Sequence, residues 1–173
     1  MGFLDELMDK EKKVLKKATE MFREVKSQAQ RLPQPELIKK YLEIYKYVTQ
    51  NVKSFERYAE SFSNFFNELG YELYVLNQYD ASENCFDRAI RLNPKNGMAW
   101  YHKALILTGT GKNIEEALAA YDKALEIFPD NKSIWAGKGE AYRLLGRTDE
   151  AVQCYLKVQE LDPLNVFYFD KIL

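Results

Sequence analysis

Hydrophobic positions recur at steps of three and four along most of the chain, the period of helices with one buried face. Over residues 3–32 they fall at Leu4, Met8, Leu15, Ala18, Phe22, Val25, Ala29 and Leu32, with Glu11 breaking the seam. Pro33-Gln34-Pro35 ends this helix and starts the next, because proline lacks the N–H that a helix interior needs. Tyr41, Tyr45, Val48, Val52, Phe55, Ala59, Phe62, Phe66, Leu69 and Leu73 continue the rhythm, with no Gly or Pro before Gly70. This predicts one long helix, or two nearly collinear ones, starting near Glu36. The first helix is expected to fold back along it, so that residues 1–60 form a coiled-coil-like hairpin. About 28 residues at 1.5 Å each give an arm of roughly 42 Å.

From residue 61 onward a longer period appears. Pro94, Pro129 and Pro163 are 35 and 34 residues apart, and each closes a similar phrase. Trp100 and Trp135 each follow one of these prolines by six residues. Three units align on these marks, at 63–96, 97–131 and 132–165. The first carries Phe66, Leu69, Gly70, Leu73, Ser82, Phe86, Ala89 and Pro94. The second carries Trp100, Ala104, Leu107, Ala117, Tyr121, Ala124 and Pro129, and the third Trp135, Gly139, Tyr142, Ala151, Tyr155, Val158 and Pro163. The extra residue of the second unit falls in Thr108–Asn113, between its two helices, where a loop absorbs it.

This pattern resembles the tetratricopeptide repeat, about 34 residues long, with a large aromatic, Leu-Gly, Tyr, a small residue, an aromatic, Ala and Pro in order. Leu73 and Leu107 stand where the pattern has Tyr, Ser82 where it has Ala, and Lys103 and Lys138 where it has Leu. The resemblance implies an all-α superhelix, a solenoid of three repeats. Gly111, Gly146 and Asn77 are expected to close the first helix of each pair in a left-handed conformation. Asp80 and Asn113 are expected to open the second helices, with Glu83 and Glu116 completing capping boxes. Residues 166–173 resemble the start of a further first helix. They are expected either to cap the third repeat or to dock on a second copy.

Composition narrows the function. The formal net charge of -1 gives no pull toward nucleic acid or an anionic membrane. No apolar run reaches the ~18 residues of a membrane span, and no signal peptide is expected at the N-terminus. Cys85 and Cys154 occupy equivalent places in non-adjacent repeats, too far apart for a disulfide. Free thiols and a cytoplasmic location are therefore expected. One histidine and two separated cysteines make no metal site. Gly109-Thr110-Gly111-Lys112 lacks the flanking residues of a phosphate loop and follows a helix. No cofactor and no catalysis are expected.

Binding remains. In tetratricopeptide folds the first helix of each pair lines a concave groove that takes partner peptides. Helical phase selects Asn67, Tyr71 and Tyr74, then Met98, Tyr101, His102 and Leu105, then Glu140 and Arg143. This surface faces away from Phe66, Trp100 and Trp135, which are expected to be buried. The family's chaperone-binding members hold a C-terminal carboxylate with Lys, Asn, Asn, Lys and Arg. The matching positions here are Asn67, Tyr71, His102, Ser133 and Gly137, and none fits. The reading is an adaptor that binds a peptide or helix of another protein, with no carboxylate clamp. The alternative is a scaffold that self-assembles into a homodimer through the hairpin and the tail.

Overall fold

A computed structural model describes residues 2–52 and 58–164, with the backbone alone at 2–5, 7 and 8. The described residues form eight α-helices and no strand: α1 (Gly2–Gln28), α2 (Gln34–Asn51), α3 (Ala59–Val75), α4 (Tyr79–Leu92), α5 (Gly97–Thr110), α6 (Ile114–Ile127), α7 (Lys132–Leu144) and α8 (Thr148–Leu161). They group into two compact units, Met1–Pro94 and Lys95–Leu173.

In the first unit α1 and α2 pack against each other and on α3, and α3 pairs with α4. The buried seam of α1 runs through Glu11, Val14, Ala18, Phe22 and Val25. Glu11 thus lies within the seam instead of interrupting it, and Val14 takes the place expected for Leu15. The steps of three and four lead back from Ala18 to Val14 and Glu11, and Leu15 falls beside that line. Phe22 sits at the centre of the packing, with its ring 5.7 Å from that of Tyr41 and 5.9 Å from that of Phe65.

The helix that opens near Glu36 stops at Asn51. Val52 is extended, at φ -118° and ψ 119°, so α2 and α3 are separate helices. Thr49, Asn51 and Val52 are poor helix formers, and the apolar period alone did not register that. The Asn51 side chain also donates to the Tyr47 carbonyl at 2.8 Å, a local bond that competes with continued winding. The expected seam position Phe55 and the segment 166–173 lie outside the described residues.

Each later pair closes on a shared device. Asn77, Gly111 and Gly146 all have positive φ, at 60°, 66° and 71°. At α7 the Gly146 N–H reaches the Arg143 carbonyl and the Arg147 N–H reaches Tyr142, both at 3.0 Å. Asn77 and Gln78 repeat the arrangement on Tyr74 and Leu73. Asn113 caps α6: its Oδ1 accepts from the Glu116 N–H at 3.1 Å, and its Nδ2 donates to the Glu116 carboxylate at 3.2 Å. Asp80 does not cap α4. That helix begins at Tyr79 directly after the Asn77–Gln78 turn, which leaves Asp80 in its first turn without a capping role.

Small residues set the spacing within pairs. A Cβ on Gly70 would meet Phe86 Cε1 at 2.8 Å. In the second unit Tyr121 and Tyr155 are fully buried, while Trp100 and Trp135 are only half-buried. The indoles are therefore not the centre of the core. Trp135 Nε1 donates to the Pro129 carbonyl at 2.7 Å, which holds that ring beside the inter-repeat turn.

Candidate binding surface

On α3, Tyr71 is 46% and Val75 56% exposed, one helical turn apart on one face. Tyr74 is half-buried, and its ring lies 6.0 Å from that of Tyr79. The Tyr79 hydroxyl donates to Asn77 Oδ1 at 2.7 Å, which fixes the second ring against the turn. Burial, together with the neighbouring Tyr79 and Tyr71, raises the Tyr74 hydroxyl pKa, so it remains a donor at neutral pH. Asn67 is half-buried on the same helix. Tyr71, Tyr74, Val75 and Tyr79 thus form one aromatic and aliphatic patch at the C-terminal end of α3. Tyr79 did not emerge from the phase of the first helices because it lies past the turn. Its signal in the sequence is a second Tyr five residues beyond Tyr74, across a left-handed Asn.

In the second unit Met98, Tyr101, His102 and Leu105 are all half-buried on α5. The Tyr101 ring lies 5.4 Å from His102 and 6.4 Å from Tyr121. Burial lowers the His102 pKa to about 4, so the imidazole is neutral at physiological pH. On α7, Arg143 grips Glu140 with two bonds, Nη2 to Oε1 at 2.6 Å and Nε to Oε2 at 2.9 Å. The Tyr155 hydroxyl also donates to Glu140 Oε2, at 3.3 Å. The nine predicted residues therefore form three local groups: Asn67 with Tyr71 and Tyr74, Met98 with Tyr101, His102 and Leu105, and Glu140 with Arg143.

Two lysines at equivalent places in their repeats make different bonds. Lys103 pairs with Glu116 of α6 at 2.8 Å, within its own helix pair. Lys138 of α7 pairs with Asp122 of α6 at 2.5 Å, which ties one pair to the next. The same lysine ammonium stands 5.6 Å from both the Trp135 and Tyr142 ring centres.

A Cβ added at Gly137 would meet the Tyr121 hydroxyl at 2.6 Å. Both cysteines are buried and free. Burial pushes the Cys85 thiol pKa upward and the Cys154 thiol to about 11, far from a reactive thiolate. Among the described residues no cluster of His, Cys, Asp and Glu could hold a metal ion, and no helix is long and apolar enough to cross a membrane.

Stacked pairs of antiparallel helices, close small-residue contacts and left-handed turns at matched positions define an α-helical repeat protein. The sequence profile described as tetratricopeptide repeat matches residues 67–132 and 109–166, and the chain belongs to that family. It is, at that level, a protein-interaction module. It is 31% identical over 100 residues to a protein named STIP1 homolog from Dictyostelium discoideum, covering 58% of this chain and 18% of that protein. The chain thus spans under a fifth of that relative's length. Among solved structures it resembles MamA from Desulfovibrio magneticus, with a TM-score of 0.72, 19% identity, and coverage of 90% of this chain and 81% of that one. It also resembles the first TPR of Spaghetti (RPAP3), solved bound to the HSP90 peptide SRMEEVD. There the TM-score is 0.62 and the identity 19%, over 65% of this chain and 89% of that one. At these identities the two structures share the fold alone with this chain.

Proposed function

We propose that the chain is an adaptor whose first helices hold a peptide or helix of a partner protein. The contacts assigned to it are Asn67, Tyr71 and Tyr74 on α3, Met98, Tyr101, His102 and Leu105 on α5, and Glu140 and Arg143 on α7. The observation that carries this reading is the exposure of Tyr71 and Val75 beside Tyr74 and Tyr79. Large apolar side chains grouped on one helix face are held in water at a cost that a partner's apolar side chains offset. The tyrosine hydroxyls at the edge of the patch supply orientation by hydrogen bonding. That a related fold was solved with a bound peptide supports the same mode. The partner differs in kind from a chaperone tail, since the clamp residues are missing. The chain acts by binding alone, in three repeats at 63–96, 97–131 and 132–165, with residues 1–60 as an N-terminal hairpin. Its free buried thiols fit the cytoplasm.

A photo-crosslinking amino acid at position 71 tests the assignment in extract from the native organism. Crosslinks to another protein from position 71, and none from position 84 on the exposed side of α4, are expected. Crosslinks only to a second copy of the chain would replace the adaptor with a self-assembling scaffold.

A further inference from the structure

A cleft of about 400 Å³ in the first unit is lined by Phe66, Arg88, Arg91 and Leu92. It belongs to α4 and the buried side of α3, not to the patch around Tyr71. Arg88 is half-buried, and its guanidinium stands 5.7 Å from the Tyr45 ring centre and 5.8 Å from that of Phe66. Its Nε donates to the Tyr45 hydroxyl at 3.3 Å, which fixes the plane of the fork. Arg91 follows by three residues, on the same face of α4.

No carboxylate among the described residues pairs with either arginine. Lys103 and Lys138, also half-buried, are matched with Glu116 and Asp122. A guanidinium held beside two rings that also touch each other, with a second guanidinium nearby, presents the planar donor geometry that fits a carboxylate. Leu92 adds an accessible apolar wall to the same cleft, with Phe66 fully buried behind it. Both arginines lie in the last turns of α4, where the helix carries its partial negative charge. That end disfavours anions, and a dianion more strongly than a single carboxylate.

We infer that this cleft binds an acidic peptide segment of a partner protein, taking an Asp or Glu carboxylate on Arg88 and Arg91 and a neighbouring apolar side chain against Leu92. The site is separate from the α3 patch, so one can fail while the other stands.

The test is selection of a displayed random dodecapeptide library on the full chain, with binders measured on variants by fluorescence polarisation. Peptides with Asp or Glu next to an apolar residue are expected. They should lose roughly tenfold or more in affinity on Arg91→Gln and on Arg88→Gln. Arg91→Lys should recover part of that loss, since it keeps the charge but not the fork. Tyr71→Ala should leave their affinity unchanged. Thermal melting shows whether each variant is folded, and exposed Arg91 keeps the test open if Arg88→Gln is not. A library that yields no acidic, arginine-dependent binder overturns the inference.

Discussion

Gly139 and Tyr155 are in such close contact that a Cβ added to the glycine would lie 2.7 Å from the tyrosine Cε1. Gly70 and Phe86 stand in the same relation two repeats earlier in the chain, the partners being 16 positions apart in both cases. Tyr155 is fully buried and its ring has no room to retreat. Gly139→Ala is expected to lower stability by about 1–3 kcal/mol through overpacking. Gly109, also helical, has nothing within 4 Å of its missing Cβ, and Gly109→Ala should raise stability by about 0.5–1 kcal/mol. Urea denaturation of the two variants checks the contrast. Equal effects of the same sign would contradict the packing assigned to Gly139.

His102 gives the chain a measurable pH response. Its folded pKa, about 4, is below the ordinary value of 6.5 because burial disfavours the imidazolium. Below pH 6.5 the unfolded chain binds a proton that the folded chain does not, so stability falls as pH drops toward 4. At pH 5 this amounts to about 2 kcal/mol. His102→Gln should remove that part of the pH dependence between pH 7 and 5. As the chain has one histidine, its imidazole resonances report the titration directly. A midpoint near 6.5 in the folded protein would contradict the burial.

Lys138 stands where the family pattern has leucine, and its side chain is only 13% exposed. Its partner Asp122 is 55% exposed and stays hydrated without it. Lys138→Leu is therefore expected to remain within about 1 kcal/mol of wild type or to exceed it, since apolar packing replaces a largely desolvated lysine whose partner stays in water. Lys138→Ala should cost more, because the stem packed beside Trp135 and Tyr142 is lost as well. Thermal melting of both variants separates packing from charge.

Glu72 fastens the N-terminal helices to the first repeat. Its Oε1 takes the Lys26 ammonium at 2.9 Å, and its Oε2 accepts from the Tyr41 hydroxyl at 3.3 Å. Glu72→Leu leaves the Tyr41 hydroxyl without its acceptor and should cost roughly 1–3 kcal/mol. Tyr41→Phe in the Glu72→Leu background should then cost little. A double-mutant cycle measures the coupling directly, and a coupling of zero would contradict the bond.

The fold was legible because its signals repeat. Prolines 35 and 34 residues apart and left-handed Asn77, Gly111 and Gly146 are local requirements that a single sequence displays in triplicate, and Gly139 before Tyr155 repeats Gly70 before Phe86. The end of α2 was not legible, since Val52 and its neighbours fit the apolar period while their helix propensity opposes it. Asp80 looked like a cap by residue type, but the turn at Asn77–Gln78 starts α4 before it. Helical phase gave Tyr71 and Tyr74 of the candidate surface, and missed Tyr79 beyond the turn. The exposure that sets Tyr71 apart from the half-buried Tyr101 depends on packing against Tyr121, a neighbour in α6 that phase within one helix does not encode. Arg88 carried no signal at all, because its setting is made by Tyr45 of α2, 43 residues away in sequence.

The most direct measurement is affinity capture from the native organism's lysate on two baits, wild type and Tyr71→Ala/Tyr101→Ala, matched for melting temperature and read by mass spectrometry. The adaptor reading predicts at least one protein retained by wild type and lost from the variant. An identical set of proteins on both baits would contradict it.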